Sequence, residues 1–139
     1  MSCATVSRTG LASWFCCGPA FGRCGAAGGG ACGNCRSSAL HCAWPNASQA
    51  CQNITRPQDC GITLPRLGCG AAVSIQSRCT GRCTTTTIAD CGPDTNRFCG
   101  ETRSCGGFTG ANRIVDLTAA AFAAIDNLDR GIIVVRVDR

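Results

Sequence analysis

Large apolar side chains are scarce in this sequence, which has five phenylalanines, two tryptophans and no tyrosine in 139 residues. The hydrophobic share of 45% includes many alanines and 15 cysteines. The 18 glycines add backbone freedom that folding must remove. Apolar burial alone therefore provides only a small core, and the fold needs another source of stability.

Lysine is absent as well, so the net charge of +5 comes from 13 arginines set against 8 acidic residues. The arginines are scattered and do not cluster with aromatic residues, which argues against a nucleic-acid-binding surface. No apolar run is long enough to cross a membrane, and no signal peptide is visible. We expect no nucleic-acid partner and no membrane partner, and we expect that any export leader has been removed.

Cysteine supplies the stability that the small core lacks. Its 15 copies exceed the ~8–10% of residues that marks a disulfide scaffold. Disulfides persist in oxidising compartments, so the sequence predicts a secreted protein, located outside the cell or in the cell wall. Seven bonds would leave one cysteine over, either free or bonded to a disulfide-linked partner chain. Cys16 and Cys17 should bond to different cysteines, because a vicinal disulfide is strained.

Two cysteine spacings are also compatible with zinc or redox chemistry, namely Cys32-Gly-Asn-Cys35 and the pair Cys79 and Cys83. The many other cysteines point to general disulfide use, and no thioredoxin-like unit surrounds the first spacing. We therefore expect neither a metal nor a cofactor.

Residue patterning separates strands from loops in the first two thirds of the chain. Residues 9–15 alternate enough to predict a first strand. Residues 16–69 are rich in Cys, Gly, Pro, Asn and Ser and lack hydrophobic periodicity, which predicts a long loop. The β-branched runs at 71–77 and 84–89 flank a glycine-containing turn and predict a β-hairpin.

The C-terminal part is the most regular. After a predicted loop at 92–112, residues 113–117 form a short predicted strand. Thr118 is a suitable N-cap for an alanine-rich helix at 119–125, and residues 132–137 read as a buried final strand. A hairpin followed by strand, helix and strand predicts a small mixed barrel.

Five motifs span most of the chain. They are Gly10-Leu-Ala-Ser-Trp-Phe15, Gly29-Gly-Ala-Cys-Gly33, Thr63-Leu-Pro65 with Cys69-Gly-Ala-Ala-Val73, Thr87-Ile-Ala-Asp-Cys-Gly-Pro93, and the C-terminal Val115 to Ile125 with Gly131 to Val137. In this order they resemble motifs of expansins, barwin-like proteins and the rare lipoprotein A family. The resemblance implies a mainly β fold, a six-stranded double-psi β-barrel with a short helix and long disulfide-stapled loops. It implies a single domain over 1–139 in which residues 36–61 are an unmatched loop insertion.

The resemblance also implies two acidic site residues, Asp116 and Asp90. Asp116 matches the family's acid, and Asp90 matches a second acidic position common in expansins and rare lipoprotein A domains. Local alternatives are a cap of the following helix for Asp116 and a turn residue for Asp90. The pair would either act in catalysis or hold sugar hydroxyls.

The stretch Ser13-Trp-Phe-Cys-Cys-Gly-Pro19 is similar to a motif of glycoside hydrolase family 45 endoglucanases. In those enzymes an aspartate within the motif is the general base. Here that position is Phe15, which cannot accept a proton. Inverting hydrolysis needs two carboxyl groups about 6.5–9.5 Å apart, so ordinary cellulase activity is not expected. A lone acid is enough for a lytic transglycosylase, in which the sugar's own hydroxyl closes an anhydro product.

Three further residues complete the predicted site as substrate-binding groups. Ser13 takes the place of an expansin threonine that contacts the aspartate pair. Trp14 and Trp44 could stack on sugar rings. The only histidine, His41, does not stand before the Leu-Pro motif as in rare lipoprotein A enzymes, so a surface histidine is the simpler interpretation.

The sequence therefore predicts a secreted domain that binds and loosens, or weakly cleaves, a cell-wall polysaccharide such as cellulose, chitin or peptidoglycan. If it is an enzyme, the expected class is a glycosidase or a lytic transglycosylase. The alternatives are a non-catalytic carbohydrate-binding or defence protein, and a structural or inhibitory cysteine-rich protein that reuses the barrel without a groove.

Overall fold

The computed structural model describes residues 7–139. Over these residues the chain forms eight strands and two α-helices. In chain order they are β1 (Ser7–Phe15), β2 (His41–Trp44), α1 (Gln49–Thr55), β3 (Ala72–Ser77), β4 (Cys83–Cys91), β5 (Thr102–Cys105), β6 (Phe108–Ala111), β7 (Arg113–Thr118), α2 (Ala119–Ile125) and β8 (Ile133–Asp138). No helix in this part of the chain combines the length and the apolar character that a membrane span requires.

Six strands close into a barrel in the order β1-β7-β2-β4-β3-β8, and β5 pairs with β6 in a separate hairpin. The pairings of β1 with β7 and of β2 with β4 are parallel, and the other barrel pairings are antiparallel. Closure gives every barrel strand two neighbours, which removes exposed edges. The predicted mainly β, six-stranded barrel with disulfide-stapled loops is confirmed.

The barrel interior is filled by the inward-facing side chains of the strands and by α2. Ile133, Val135 and Val137 of β8 alternate into the core. Phe122 of α2 is fully buried against them. Helix α2 begins after Thr118, whose hydroxyl accepts a hydrogen bond from the Ala121 amide at 3.4 Å, as predicted.

Two predicted loops contain regular structure. β2 and α1 lie within residues 16–69, inside the predicted insertion at 36–61, and the β5–β6 hairpin lies within 92–112. The four residues of β2 are too few to show the alternation of apolar and polar side chains that marks a strand. They are extended because they pair with β4 and β7. Helix α1 is only seven residues long and follows its N-cap Ser48, whose hydroxyl accepts a hydrogen bond from the Cys51 amide.

Six disulfides cross-link the described residues. They join Cys16 to Cys24, Cys17 to Cys35, Cys32 to Cys69, Cys51 to Cys91, Cys60 to Cys99 and Cys79 to Cys105. Cys16 and Cys17 bond to different partners, as predicted. Five of the six bonds involve residues 16–69, the stretch predicted as a long loop. Within residues 7–139, Cys42 is a buried free thiol and Cys83 an exposed one, and Cys3 lies outside the described residues.

Candidate functional site

Four adjacent strands place Ser13, Asp116, Ala43 and Asp90 side by side. Ser13 of β1 pairs with Asp116 of β7. On the other side of β7, Asp116 pairs with Ala43 of β2, and Ala43 pairs in turn with Asp90 of β4. Paired residues on neighbouring strands project to the same face of a sheet. The two aspartates are two strands apart, about 9–10 Å between Cα atoms. Ala43 between them is small and places no bulky side chain between the two carboxyl groups.

The Asp116 carboxyl group is held by Ser13, whose hydroxyl donates a hydrogen bond to Asp116 Oδ1. Burial raises the pKa of Asp116 above its usual range. The hydrogen bond from Ser13 and the charge of Arg113 oppose this rise, whereas the charges of Asp90 and Asp94 add to it. A carboxyl group that keeps its proton to higher pH is suited to act as a general acid.

Asp116 opens into a surface pocket of about 320 Å³. The other lining residues are Cys91, Gly92, Pro93, Asp94, Arg97, Phe98 and Arg113. Gly92 has a φ of 139°, and a Cβ built there would lie 3.9 Å from Asp116 Oδ2 and 3.7 Å from the Ala43 Cβ. The missing side chain at Gly92 therefore keeps the approach to the Asp116 carboxyl group open.

One wall of this pocket is a fixed ion pair. Arg113 donates to Glu101 through Nε at 2.7 Å and through Nη2 at 3.1 Å. The Arg113 guanidinium also lies 3.7 Å from the centre of the Phe98 ring. The hydrogen bonds from Arg113 hold the pKa of Glu101 below its usual range, so both groups are charged at neutral pH.

The pocket is also lined by Asp94 and Arg97, whose carboxylate and guanidinium are 3.5 Å apart. The Arg97 side chain is 75% exposed, so it can move toward a ligand. Sequence reasoning missed these pocket residues. The available signals were the position of Asp94 directly after the Cys91-Gly-Pro93 motif and that of Arg113 at the start of the strand that carries Asp116.

Asp90 makes local contacts that Asp116 does not. Its Oδ1 atom accepts from the amides of Ala31, at 2.8 Å, and Cys91, at 2.7 Å. Gly30 lies against it, since a Cβ built there would come within 3.0 Å of the Asp90 carboxyl carbon. Asp90 thus attaches the loop at 29–33 to β4, and it does not line the pocket of Asp116.

The two tryptophans differ from the predicted sugar-stacking role. Trp44 is fully buried, and its Nε1 donates to the Pro65 carbonyl at 3.0 Å, so the prediction that it binds sugar is wrong. The cause is β2, whose alternation turns Trp44 into the barrel. Trp14 is half-buried and donates to the Leu128 carbonyl, and the Arg23 guanidinium lies 5.3 Å from its ring centre.

The other candidate groups lie outside the pocket. His41 Nδ1 accepts from the Arg36 amide at 3.2 Å, and burial lowers the pKa of His41. Cys32 and Cys35 belong to two different disulfides. Residues 7–139 contain no cluster of histidine, cysteine and acidic side chains that could hold a metal ion.

No protein-family model matches the chain, and no curated protein matches it in sequence. Solved structures do match its fold. The Streptomyces papain inhibitor (SPI) has a TM-score of 0.53 and 22% identity, covering 99% of this chain and 98% of its own. The apo expansin of Clavibacter michiganensis has a TM-score of 0.51 and 16% identity, covering 95% of this chain and 49% of the expansin.

An aspartate-to-asparagine mutant of the same expansin, solved in complex with cellohexaose, has a TM-score of 0.50 and 16% identity over the same shares. This chain therefore spans about half the length of the expansin and nearly the whole of the papain inhibitor. These identities are all below 25%, so the likeness is one of fold: the chain has the barrel fold found in expansins and in the Streptomyces papain inhibitor.

Proposed function

We propose that this protein is a secreted binder of cell-wall polysaccharide that uses the face around Asp116. The observation that carries the proposal is the alignment of Ser13, Asp116 and Asp90 on adjacent strands, with Asp116 opening into a pocket. A protein of similar fold has been solved with the glucan cellohexaose bound. The six disulfides agree with secretion.

Asp116 is the group that would act on a glycosidic bond. Its raised pKa favours the protonated form that a general acid needs, and the Ser13 hydroxyl holds its orientation. Asp90 is occupied by the 29–33 loop, and Phe15 cannot serve as a base, so neither of these two positions supplies the water-activating carboxylate of an inverting hydrolase.

Cleavage, where it occurs, would follow the transglycosylase route. The proton of Asp116 passes to the glycosidic oxygen as the bond from that oxygen to the anomeric carbon breaks. A hydroxyl of the same sugar forms the new bond to the anomeric carbon, and its proton returns to Asp116. Atoms and charges balance without an external base.

Binding without cleavage is the more general expectation. Both tryptophan rings are withdrawn from this face, and the ring of Phe98 is covered by Arg113. Polar groups would therefore hold the glycan, chiefly Arg97, Asp94 and Asp116. Without an open aromatic surface, the affinity should be modest, in the range of weak polar recognition.

The experiment is co-sedimentation of the purified protein with cellulose, chitin and peptidoglycan, with analysis of released sugars. Asp116→Asn tests the site, and Asp138→Asn, at the far end of β8, is the matched control. We expect one polymer to retain the protein and Asp116→Asn to weaken retention, with Asp138→Asn unchanged. Equal retention of all three proteins, or none by any polymer, would contradict the proposal.

A second candidate function is inhibition of a papain-class cysteine protease. The observation that favours it is coverage, because the Streptomyces papain inhibitor matches over almost its whole length, whereas the expansins match over half of theirs. The high disulfide density suits a protein that must resist proteolysis. Titration of papain with the native protein tests this function, and unchanged papain activity at micromolar protein would exclude it.

A further inference from the structure

We infer that the disulfide-closed turn at residues 16–24, here the Phe21 loop, is a protein-binding loop that enters the active-site cleft of a papain-class cysteine protease. The inference rests on the second candidate function. It names the surface and the anchoring side chain through which that inhibition would act.

The loop is closed by its own bonds. The Cys16–Cys24 disulfide joins its ends. Within the loop, the Phe21 amide donates a hydrogen bond to the Cys24 carbonyl at 2.9 Å, and the Cys24 amide donates one to the Phe21 carbonyl at 2.8 Å. Gly22, with a φ of 55°, lies at the turn between them. Phe21 is therefore presented on a short two-residue turn.

The base of the loop is fixed to the barrel. Cys17 bonds to Cys35, and the Cys17 amide donates to the Ser37 hydroxyl at 2.8 Å. Arg23 donates to Asp129 at 2.7 Å and lies over the Trp14 ring. A loop held in this way loses little conformational entropy when it binds, which favours affinity.

The same loop is exposed and adds little to the fold. Phe21 is 43% exposed, and Cys24 is the only buried residue between 18 and 33. Long segments without regular structure in a compact domain are usually functional or disordered. Three disulfides have cysteines within residues 16–35, so this part of the chain is held in shape rather than left free.

A protease cleft suits this geometry better than a glycan does. A protruding aromatic side chain is a common anchor of protein interfaces, where it fills a pocket on the partner. If the protease cut a peptide bond inside the loop, the Cys16–Cys24 disulfide would keep the two ends together. The loop could then remain in the cleft, whereas the cut ends of an ordinary substrate would leave it.

The test is a papain titration with a fluorogenic peptide substrate, using the native protein, Phe21→Ala and Phe108→Ala. Phe108, on the β6 hairpin, is 46% exposed and is the matched control. We expect the inhibition constant to rise about thirtyfold for Phe21→Ala, as for a strong interface anchor. Phe108→Ala should inhibit like the native protein.

The outcomes separate the two claims. If the native protein leaves papain active, both the inhibitor function and the loop inference fail. If the native protein inhibits and Phe21→Ala inhibits equally well, the loop inference fails alone. Amide hydrogen exchange of the native protein with active-site-blocked papain is a second measurement. Protection of residues 19–23 supports the inference, and protection confined to other surfaces overturns it.

Discussion

The hydroxyl of Ser13 donates a hydrogen bond to the carboxyl group of Asp116 across the parallel pairing of β1 with β7. This contact joins residues 103 positions apart in the chain. It combines a largely buried acid with a fixed orientation at the edge of an open pocket.

Replacing Ser13 by alanine should raise the pKa of Asp116 further. The Ser13 hydroxyl stabilises the charged carboxylate, so its removal favours the protonated form. The measurement is a pH titration of the Asp116 carboxyl carbon by NMR. Thr9→Ala, at an exposed position on the same strand, is the control and should leave the pKa of Asp116 as it is. A lower pKa in Ser13→Ala would contradict the assigned hydrogen bond.

The Asp116→Asn variant should melt at a higher temperature than the native protein at pH 7. Because the folded-state pKa of Asp116 is raised, ionisation above that pKa destabilises the fold, and asparagine does not ionise. The difference in melting temperature between the variant and the native protein should vanish as the pH falls below about 3.9, where aspartate is protonated in the unfolded chain too. Thermal melts across this pH range check the prediction. A difference in melting temperature that stays constant with pH would show that ionisation of Asp116 is not its cause.

Glu101→Gln should lower the free energy of unfolding by about 2 kcal/mol at pH 7, the scale for losing charged hydrogen bonds. The half-buried Arg113 guanidinium would lose its carboxylate partner. Since the folded-state pKa of Glu101 is depressed, its contribution is present above its unfolded value of about 4.3 and is lost as the pH falls. Urea unfolding at pH 7 and pH 3 measures both effects.

The matched control for this change is Asp59→Asn, which removes the exposed pair of Asp59 with Arg56. Exposed pairs contribute little, so its effect should be much smaller. If the two variants lose equal stability at pH 7, the Arg113–Glu101 pair has no special role in the pocket wall.

Cys42 should resist alkylation in the native protein. Burial raises the pKa of its thiol to about 12, and the thiolate is the reactive form. Treatment with iodoacetamide, followed by peptide mass spectrometry, should label Cys42 only after unfolding without a reductant. Labelling of Cys42 in the folded protein would contradict its place in the barrel core.

Local signals account for the parts of the fold that the sequence predicted well. Thr118 caps α2 because a hydroxyl before an alanine run is a short-range signal, and the hairpin of β3 and β4 follows from two β-branched runs around a turn. β2 carries no such signal. Its four residues are extended because β4 and β7 pair with them, and this non-local cause also buries Trp44.

The site was predictable only in part. Family motifs pointed to Asp116 and Asp90, but the loop that holds Asp90 comes from residues 59 positions away. Arg113 and Glu101 meet through the β5–β6 hairpin, which the glycine-rich sequence between them did not reveal. The cysteine count indicated a disulfide scaffold with seven bonds, whereas six form among the described residues and leave Cys42 and Cys83 free. The individual pairs depend on the whole chain path, which local sequence does not show.

The account is tested most directly by following the backbone amide signals of the native protein by NMR during titration with soluble oligosaccharides of cellulose, chitin and peptidoglycan. We predict that one oligosaccharide shifts the signals of Ser13, Asp94 and Asp116 together and that Asp116→Asn reduces those shifts. Shifts confined to residues remote from the Asp116 pocket, or no shift with any of the three, would contradict the proposed glycan-binding face.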